Sequence, residues 1–230
     1  MTEPPQDSLK RAAARRAVAE VEDGMVVGLG SGSTAAFALE RLAERITAGL
    51  RIAGIPTSEA TAALARRLGI PLTDFDRHRR IDLTIDGADQ VERGTLHLIK
   101  GRGGALLREK IVAAASVRLI IAVDESKLVD RLGGGMALPI EVVPFGWQTT
   151  LDRLAALGCA PQLRRSGGQP VRTDGGNYIA DCRLQEIADP TALEARLATV
   201  VGVVETGLFL GLASMIVAGR PTGVEIVERA

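Results

Sequence analysis

MVVGLGSGST, residues Met25–Thr34, decides the fold: a short apolar run leads into a turn built of glycines and hydroxyl residues. Leu39, Leu42, Ala43 and Ile46 follow at three- and four-residue steps, which predicts an amphipathic helix. The same order comes again downstream. Arg51–Ile55 reads as a strand, Pro56, Thr57 and Ser58 as the turn, and a helix follows with Ser58 as N-cap, Leu64 and Leu68 inward, and Gly69 just past its end. Upstream, Leu9, Ala13, Ala17 and Val21 recur at four-residue steps among Lys10, Arg11, Arg15 and Arg16, an amphipathic helix stopped by Gly24. Strand, turn and helix in alternation predict an α/β chain with a mostly parallel sheet and helices on both faces.

Further on, Ile81–Ile85 and Thr95–Ile99 read as strands ending at Asp86 and Lys100, Ala105–Ala115 as a helix, and Val117–Val123 as a strand ending at Asp124. Polar residues thus gather in one kind of place. Gly30–Thr34, Thr57, Ser58, Asp86, Lys100 and Asp124 all lie just beyond the carboxyl ends of predicted strands, where open α/β sheets bind ligands. After about Leu128 the pattern changes. Ile140–Phe145 reads as strand, Gln148–Leu157 as helix ended by Gly158, Ala160–Arg165 and Asn177–Leu184 as strands, a helix opens at Asp189 and Pro190, and Val203–Leu210 is a last strand. This βαβ-βαβ order is that of a ferredoxin-like unit. The expected division is a main domain over residues 1–128 and 206–230, regained through Val224–Val227, and a smaller ferredoxin-like α+β domain over 129–205.

Composition narrows the function. With 46% hydrophobic residues over 230 positions there is ample core material, which excludes disorder and collagen-like architecture. Basic and acidic residues number 28 each, so no net charge marks a footprint for duplex nucleic acid, and six aromatics offer few stacking platforms. No nucleic-acid partner is expected. The longest uncharged apolar stretch, Gly207–Gly219, has 13 residues, against about 20 needed to cross hydrocarbon. The opening MTEPPQDS has prolines and acids where a secretory leader needs a basic and then an apolar segment. A cytoplasmic protein with no membrane span is the expectation. Cys159 and Cys182 lack CxxC spacing and read as reduced, buried, apolar groups.

Two segments carry chemistry. GLGSGST, Gly28–Thr34, feeds a helix with free backbone N–H groups and hydroxyls, which suits a small phosphate or sugar. A dinucleotide fingerprint would need glycine at Ser33, and a Walker loop would need a lysine before the hydroxyl residue, so neither nucleotide motif fits. A plain tight turn stays open as the alternative. In IDGADQ, Ile85–Gln90, Asp86 and Asp89 follow a strand, although turns use aspartate freely to bond their own backbone. KGRGGALLREK, Lys100–Lys110, then sets a lysine at a strand end, Gly101, Gly103 and Gly104 to let backbone approach a ligand, and Glu109 in the following helix. Carboxylates, an ammonium and exposed N–H groups together offer a base, a proton shuttle and an oxyanion stabiliser. Taken singly, Glu109 reads as a solvated helix charge, and Lys10 and Lys127, which would complete a phosphate site, as surface lysines. His78, in the basic loop DRHRR, and His97, within a predicted strand, show no ligand spacing. Neither metal nor Ser/His/Asp chemistry has its parts, no cofactor is expected, and acid–base work falls to a carboxylate.

GLGSGSTAA, TSEAT, DGADQ, KGRGGALLREKI, VDESKLVDRLG, LPIEVVPF and VVETGLF occur in this order across nearly the whole chain, and together they resemble the A-type ribose-5-phosphate isomerases. The resemblance implies a Rossmann-like main domain with a ferredoxin-like smaller one, no metal, and a homo-oligomer, a dimer in the first instance. It implies interconversion of ribose 5-phosphate and ribulose 5-phosphate in the non-oxidative branch of the pentose phosphate pathway. Glu109 would move a proton between C1 and C2 through an enediolate, Asp86 would assist ring opening, and Asp89 and Lys100 would hold and polarise substrate oxygens. Phosphate contacts are implied for Lys10, Ser31, Gly32, Ser33, Thr34 and Lys127. The chain departs from the family at two places. Gln90 stands where a glutamate is usual and carries no charge, and Arg102, which interrupts the glycine run, is read as reaching solvent. Two other classes stay open. A sugar-phosphate-binding regulatory module would need the phosphate turn but not Asp86, Lys100 and Glu109; a sugar-phosphate deaminase or lactonase of related fold is opposed by the missing catalytic histidine.

Overall fold

In the computed structural model, which describes residues 5–228, the run Val26–Leu29 lies inside a six-stranded sheet. Residues 1–4, the start of the segment read for a leader, and 229–230 lie outside the described residues. The sheet order is Gly223–Glu228, Met215–Arg220, Ser116–Asp124, Ile81–Asp86, Val26–Leu29, Ala53–Pro56. All neighbours are parallel except the first pair. Alternation along the strands sorts side chains to two faces. Val27, Leu29, Leu83, Ile85, Ile120, Ala122 and Val217 pack with Ala13 and Ala17 of the helix Pro5–Val18 and with Ala38, Leu39 and Leu42 of the helix Ser33–Thr47. Gly28 and Thr84 take the opposite face. A Cβ on Gly28 would stand 1.8 Å from Thr84 Oγ1 and 2.7 Å from Val112 Cγ1, so glycine is what lets the helix Leu106–Ala114 close onto that face. The helix Glu59–Arg67 is capped as expected, Ser58 Oγ accepting from Thr61 N–H at 3.0 Å.

The chain divides into two compact units. The first holds the described residues up to Ala88, Arg108–Leu128 and those from Gly211 onward; the second holds Asp89–Leu107 and Val129–Leu210. Residues 89–107, expected in the main domain, therefore belong to the second unit, and the return falls at Gly211 rather than 206. The first unit also contains a strand the sequence reading passed over. Met215–Arg220 is buried on both faces through Gly219, so it shows no polar alternation and resembles any apolar run.

In the second unit the strands Val203–Thr206, Ala137–Val142, Tyr178–Arg183 and Ala160–Leu163 lie side by side in that order, all antiparallel. With the helices Trp147–Ala156 and Pro190–Ala198 this is the ferredoxin-like arrangement. Asp189 caps the latter helix, accepting from Ala192 N–H at 2.9 Å, with Pro190 in its first turn. Leu138, Ile140, Leu154, Ala180 and Leu197 form its core, into which the free thiols Cys159 and Cys182 are also buried. Two strand readings need correction. Thr95–Ile99 is not one strand: Gln90–Glu92 and Leu98–Ile99 pair as a hairpin whose turn runs through Gly94 (φ 85°) and Leu96 (φ 58°). Thr95 Oγ1 ties that turn to Glu92 at 2.6 Å, and His97 precedes the strand rather than lying within it. Val203–Leu210 is broken at Gly207, where a Cβ would stand 2.3 Å from the Lys100 carbonyl oxygen; Leu208–Phe209 leaves for the hairpin sheet and pairs with Leu98–Ile99. Among the described residues no helix is long and apolar enough to cross a membrane.

Candidate active site

In the first unit the glycine turn and Asp86 are built around each other. A Cβ at Gly30 would stand 2.3 Å from Asp86 Oδ1, so the missing side chain is what admits the carboxylate. That oxygen accepts from the N–H groups of Ser31 (3.0 Å) and Gly87 (2.7 Å). Ser31 Oγ in turn meets Thr57 Oγ1 and Ser58 Oγ at 2.8 Å and Thr61 Oγ1 at 3.0 Å. Both polar groups of Ser31 thus order the turn. Gly32, at φ 91°, is the N-cap of the helix Ser33–Thr47 and supplies no side-chain cap. The first helical N–H groups, at Ser33 and Thr34, therefore form the positive end of the helix dipole with no side-chain cap from Gly32, a setting that favours an anion.

Asp124 ends the neighbouring strand and caps the short 3₁₀ turn Glu125–Lys127. It is buried and accepts from the Ser126 N–H at 3.1 Å and from the Ser126 hydroxyl, with Gln6 Nε2 at 3.5 Å. Burial pushes its carboxyl up, but the hydrogen bonds from Ser126 and Gln6 and the Lys127 charge outweigh that and hold it below the usual carboxylate range. Gly219 pairs with Asp124 in register, and a Cβ there would stand 2.0 Å from the Leu9 carbonyl oxygen. This close approach brings the turn of helix that bears Lys10 to the carboxyl edge of the sheet, beside the segment of Lys127. Lys10 is half-buried and pairs with Asp7 at 3.2 Å. Glu109 is buried in the first turn of the helix Leu106–Ala114, where the helix dipole favours a carboxylate.

In the second unit Asp89 and the glycine loop meet. Asp89 N–H donates to the Ile99 carbonyl at 2.8 Å, and Asp89 Oδ2 accepts from Arg102 N–H at 2.9 Å. Lys100 is buried; its N–H donates to the Gly207 carbonyl at 2.9 Å and its Nζ lies 5.6 Å from the Phe209 ring centroid. Gly101 (φ 105°) and Gly104 (φ 84°) hold left-handed backbone and close a turn, Gly104 N–H donating to the Gly101 carbonyl at 3.0 Å. Nothing would touch a Cβ at Gly103 within 4 Å. Arg102 is exposed and, with Asp89, Arg164, Arg165, Asp181 and Arg183, lines a cavity of about 570 Å³. Gln90 is not electrostatic machinery. Its buried amide donates to the Gly133 carbonyl and accepts the Gly133 N–H, both at 2.8 Å. The Arg164–Asp181 pair escaped the sequence reading, since nothing in its spacing marks it. Among the described residues no three His, Cys, Asp or Glu side chains are placed to hold a metal ion.

A buried carboxylate, Asp86, set into a glycine turn at a strand end in one unit, and a buried lysine before a glycine loop in the other, are features of an α/β enzyme. The family model of ribose 5-phosphate isomerase A (phosphoriboisomerase A) matches residues 53–223. The chain belongs to this family and is an isomerase. It is 59% identical over 221 residues to ribose-5-phosphate isomerase A of Gloeobacter violaceus, covering 96% of each chain. A solved D-ribose-5-phosphate isomerase in complex with phospho-erythronic acid superposes with a TM-score of 0.94 at 40% identity, covering 98% of this chain and 100% of that one. The ribose 5-phosphate isomerase A of Methanocaldococcus jannaschii gives 0.93 at 39% identity over 97% and 99%.

Proposed function

We propose that this isomerase interconverts ribose 5-phosphate and ribulose 5-phosphate through an enediolate, with Glu109 as the base. The proton leaves C2 of the open aldose and returns at C1, while the hydroxyl proton of O2 passes to O1. Removing a proton beside a carbonyl places negative charge on oxygen, and the enzyme accelerates the step by stabilising that charge. Lys100 and Asp89 hold and polarise the two oxygens, the backbone of Gly101, Gly103 and Gly104 lets them approach closely, and Asp86 assists ring opening. The phosphate is taken by Gly32, Ser33 and Thr34 at the helix N-terminus, with Lys10 and Lys127, while Ser31 serves through the order it gives the turn.

The observation that supports this reading is the burial of the charged residues matching the family motifs. Asp86, Lys100 and Glu109 are 2%, 3% and 6% exposed, and charge is seldom withdrawn from water so far unless it is paired or put to use. A well-placed general base contributes about 10²- to 10⁴-fold, so Glu109→Gln lowers kcat by such a factor and leaves KM nearly unchanged. Ketose formation from ribose 5-phosphate in the presence of a chelator is the assay, and near-normal turnover by that variant removes Glu109 from the role. The same reading carries a cytoplasmic homodimer. Phe145, 94% exposed, and the exposed Val143, Val201 and Val204 give the second unit apolar surface that a second copy would cover, and the mass in solution by light scattering checks it.

A further inference from the structure

The glycine loop after Lys100 does not hold its own conformation by side chains, since Gly101, Gly103 and Gly104 have none. Beyond the turn bond from Gly104 to Gly101 and the Asp89 carboxylate, Arg164 holds it in place. The guanidinium is itself fixed first: Nε donates to Asp181 Oδ2 at 2.8 Å and Nη2 to Asp181 Oδ1, and the Arg164 N–H donates to the Ile179 carbonyl at 2.8 Å. Asp181 sits within the strand Tyr178–Arg183, opposite Gln162 in register, so the anchor is rigid sheet. The remaining Nη1 donates to two consecutive carbonyls of the loop, those of Gly101 and Arg102, at 3.0 Å each. All of these groups lie in the second unit.

Peptide planarity gives this contact a directional consequence. In each trans peptide the N–H points opposite to the C=O. Drawing the Gly101 and Arg102 carbonyls to one cation therefore turns the N–H groups of Arg102 and Gly103 the other way. The Arg102 N–H does meet a partner there, Asp89 Oδ2 at 2.9 Å. Gly103 is exposed, and nothing would touch a Cβ at that position within 4 Å, so no side chain crowds this part of the loop. A cationic donor on the carbonyl side also polarises each peptide and strengthens its N–H as a donor.

We propose that Arg164, braced by Asp181, is a positioning residue: it orients the Arg102 and Gly103 peptides so that Asp89 is held and the Gly103 N–H is presented to the developing enediolate oxygen. This rests on the isomerase reading above and deepens it. Lysine has one donor centre where arginine has a planar fork, so it cannot bond Asp181 in two places and reach both carbonyls as well.

The experiment compares Arg164→Ala, Arg164→Lys and Asp181→Asn with the parent enzyme, measuring kcat and KM for ribose 5-phosphate and the Ki of phospho-erythronic acid, whose carboxylate sets two oxygens where the enediolate carries its own. Expected are a fall in kcat of about 10- to 100-fold for Arg164→Ala, a smaller fall for the other two, KM within about threefold, and a Ki that rises in step with the loss of kcat/KM. Damage confined to folding lowers the active fraction and leaves Ki untouched. A lowered kcat with an unchanged Ki therefore overturns the proposal, as does wild-type kcat in Arg164→Lys, which decides the matter if Arg164→Ala does not fold. Loss of turnover in the parent enzyme sinks the isomerase reading itself, whereas normal turnover in all three variants sinks only the role of Arg164.

Discussion

Replacing Gln90 by glutamate exchanges one amide nitrogen for oxygen at nearly constant volume, and the structure gives the cost a sign and a pH range. The Gln90 amide forms a reciprocal pair with one residue, donating to the Gly133 carbonyl and accepting its N–H, both at 2.8 Å, in a buried setting. Ionised glutamate keeps the acceptor but sets an anion against the Gly133 carbonyl, which loses its donor. Leaving a buried group unsatisfied costs about 1–3 kcal/mol. Protonated glutamate restores the donor. The folded-state pKa of the new carboxyl is thus raised above its unfolded value of about 4.3, by about 1–2 units if the loss is about 1.4–2.8 kcal/mol. A raised pKa means that stability is fully present below the unfolded value and lost as pH rises through the folded one. Urea unfolding of Gln90→Glu and the parent is therefore expected to coincide near pH 4 and to separate by about 0.5–1 M in midpoint at pH 8, for a slope of about 3 kcal/mol/M. Equal midpoints at pH 8, or a gap that does not change with pH, would refute the reasoning.

Gly30→Ala places a Cβ 2.3 Å from Asp86 Oδ1 and 2.6 Å from Asp86 Cα; displacement of that carboxylate by the order of an ångström lowers kcat by about 10²-fold, read in the ketose assay. Lys10→Ala and Lys127→Ala each raise KM by about 10-fold or more, the value of one charge-assisted contact, with kcat largely retained in steady-state kinetics. Asp124, held below the usual carboxylate range, stabilises the fold above the ordinary aspartate value of about 3.9 and ceases to do so as pH falls through its lower folded value. Thermal unfolding of Asp124→Asn is accordingly expected to fall below the parent at pH 7, with the gap narrowing as pH drops below the ordinary aspartate value.

The placement of the candidate site residues was legible where a short motif coincides with a strand end. Gly28–Thr34 and Asp86 needed only the strand, turn and helix pattern to be placed on one sheet edge, and Ser58 and Asp189 declared their helices by local capping. Partnerships across the fold were not legible. Gln90 and Gly133 lie 43 positions apart, and Arg164 meets Asp181 only because the register sets that residue against Gln162. Thr95–Ile99 misled because its apolar alternation imitates a strand, while Gly94 and the left-handed Leu96 turn the backbone instead. Met215–Arg220 was hidden by two-sided burial, which erases the period of two. The placement of residues 89–107 in the second unit followed neither composition nor motif; it depends on pairing with Leu208–Phe209, more than a hundred positions away.

Because the first unit is assembled from three stretches of chain, its central sheet stays unfinished for most of synthesis. Ser116–Asp124 remains a bare edge until Met215–Arg220 has left the ribosome, and the first helix meanwhile lacks part of the surface it covers. Such a nascent chain would expose an unpaired apolar edge for about a hundred residues of elongation, a natural client for holdase chaperones.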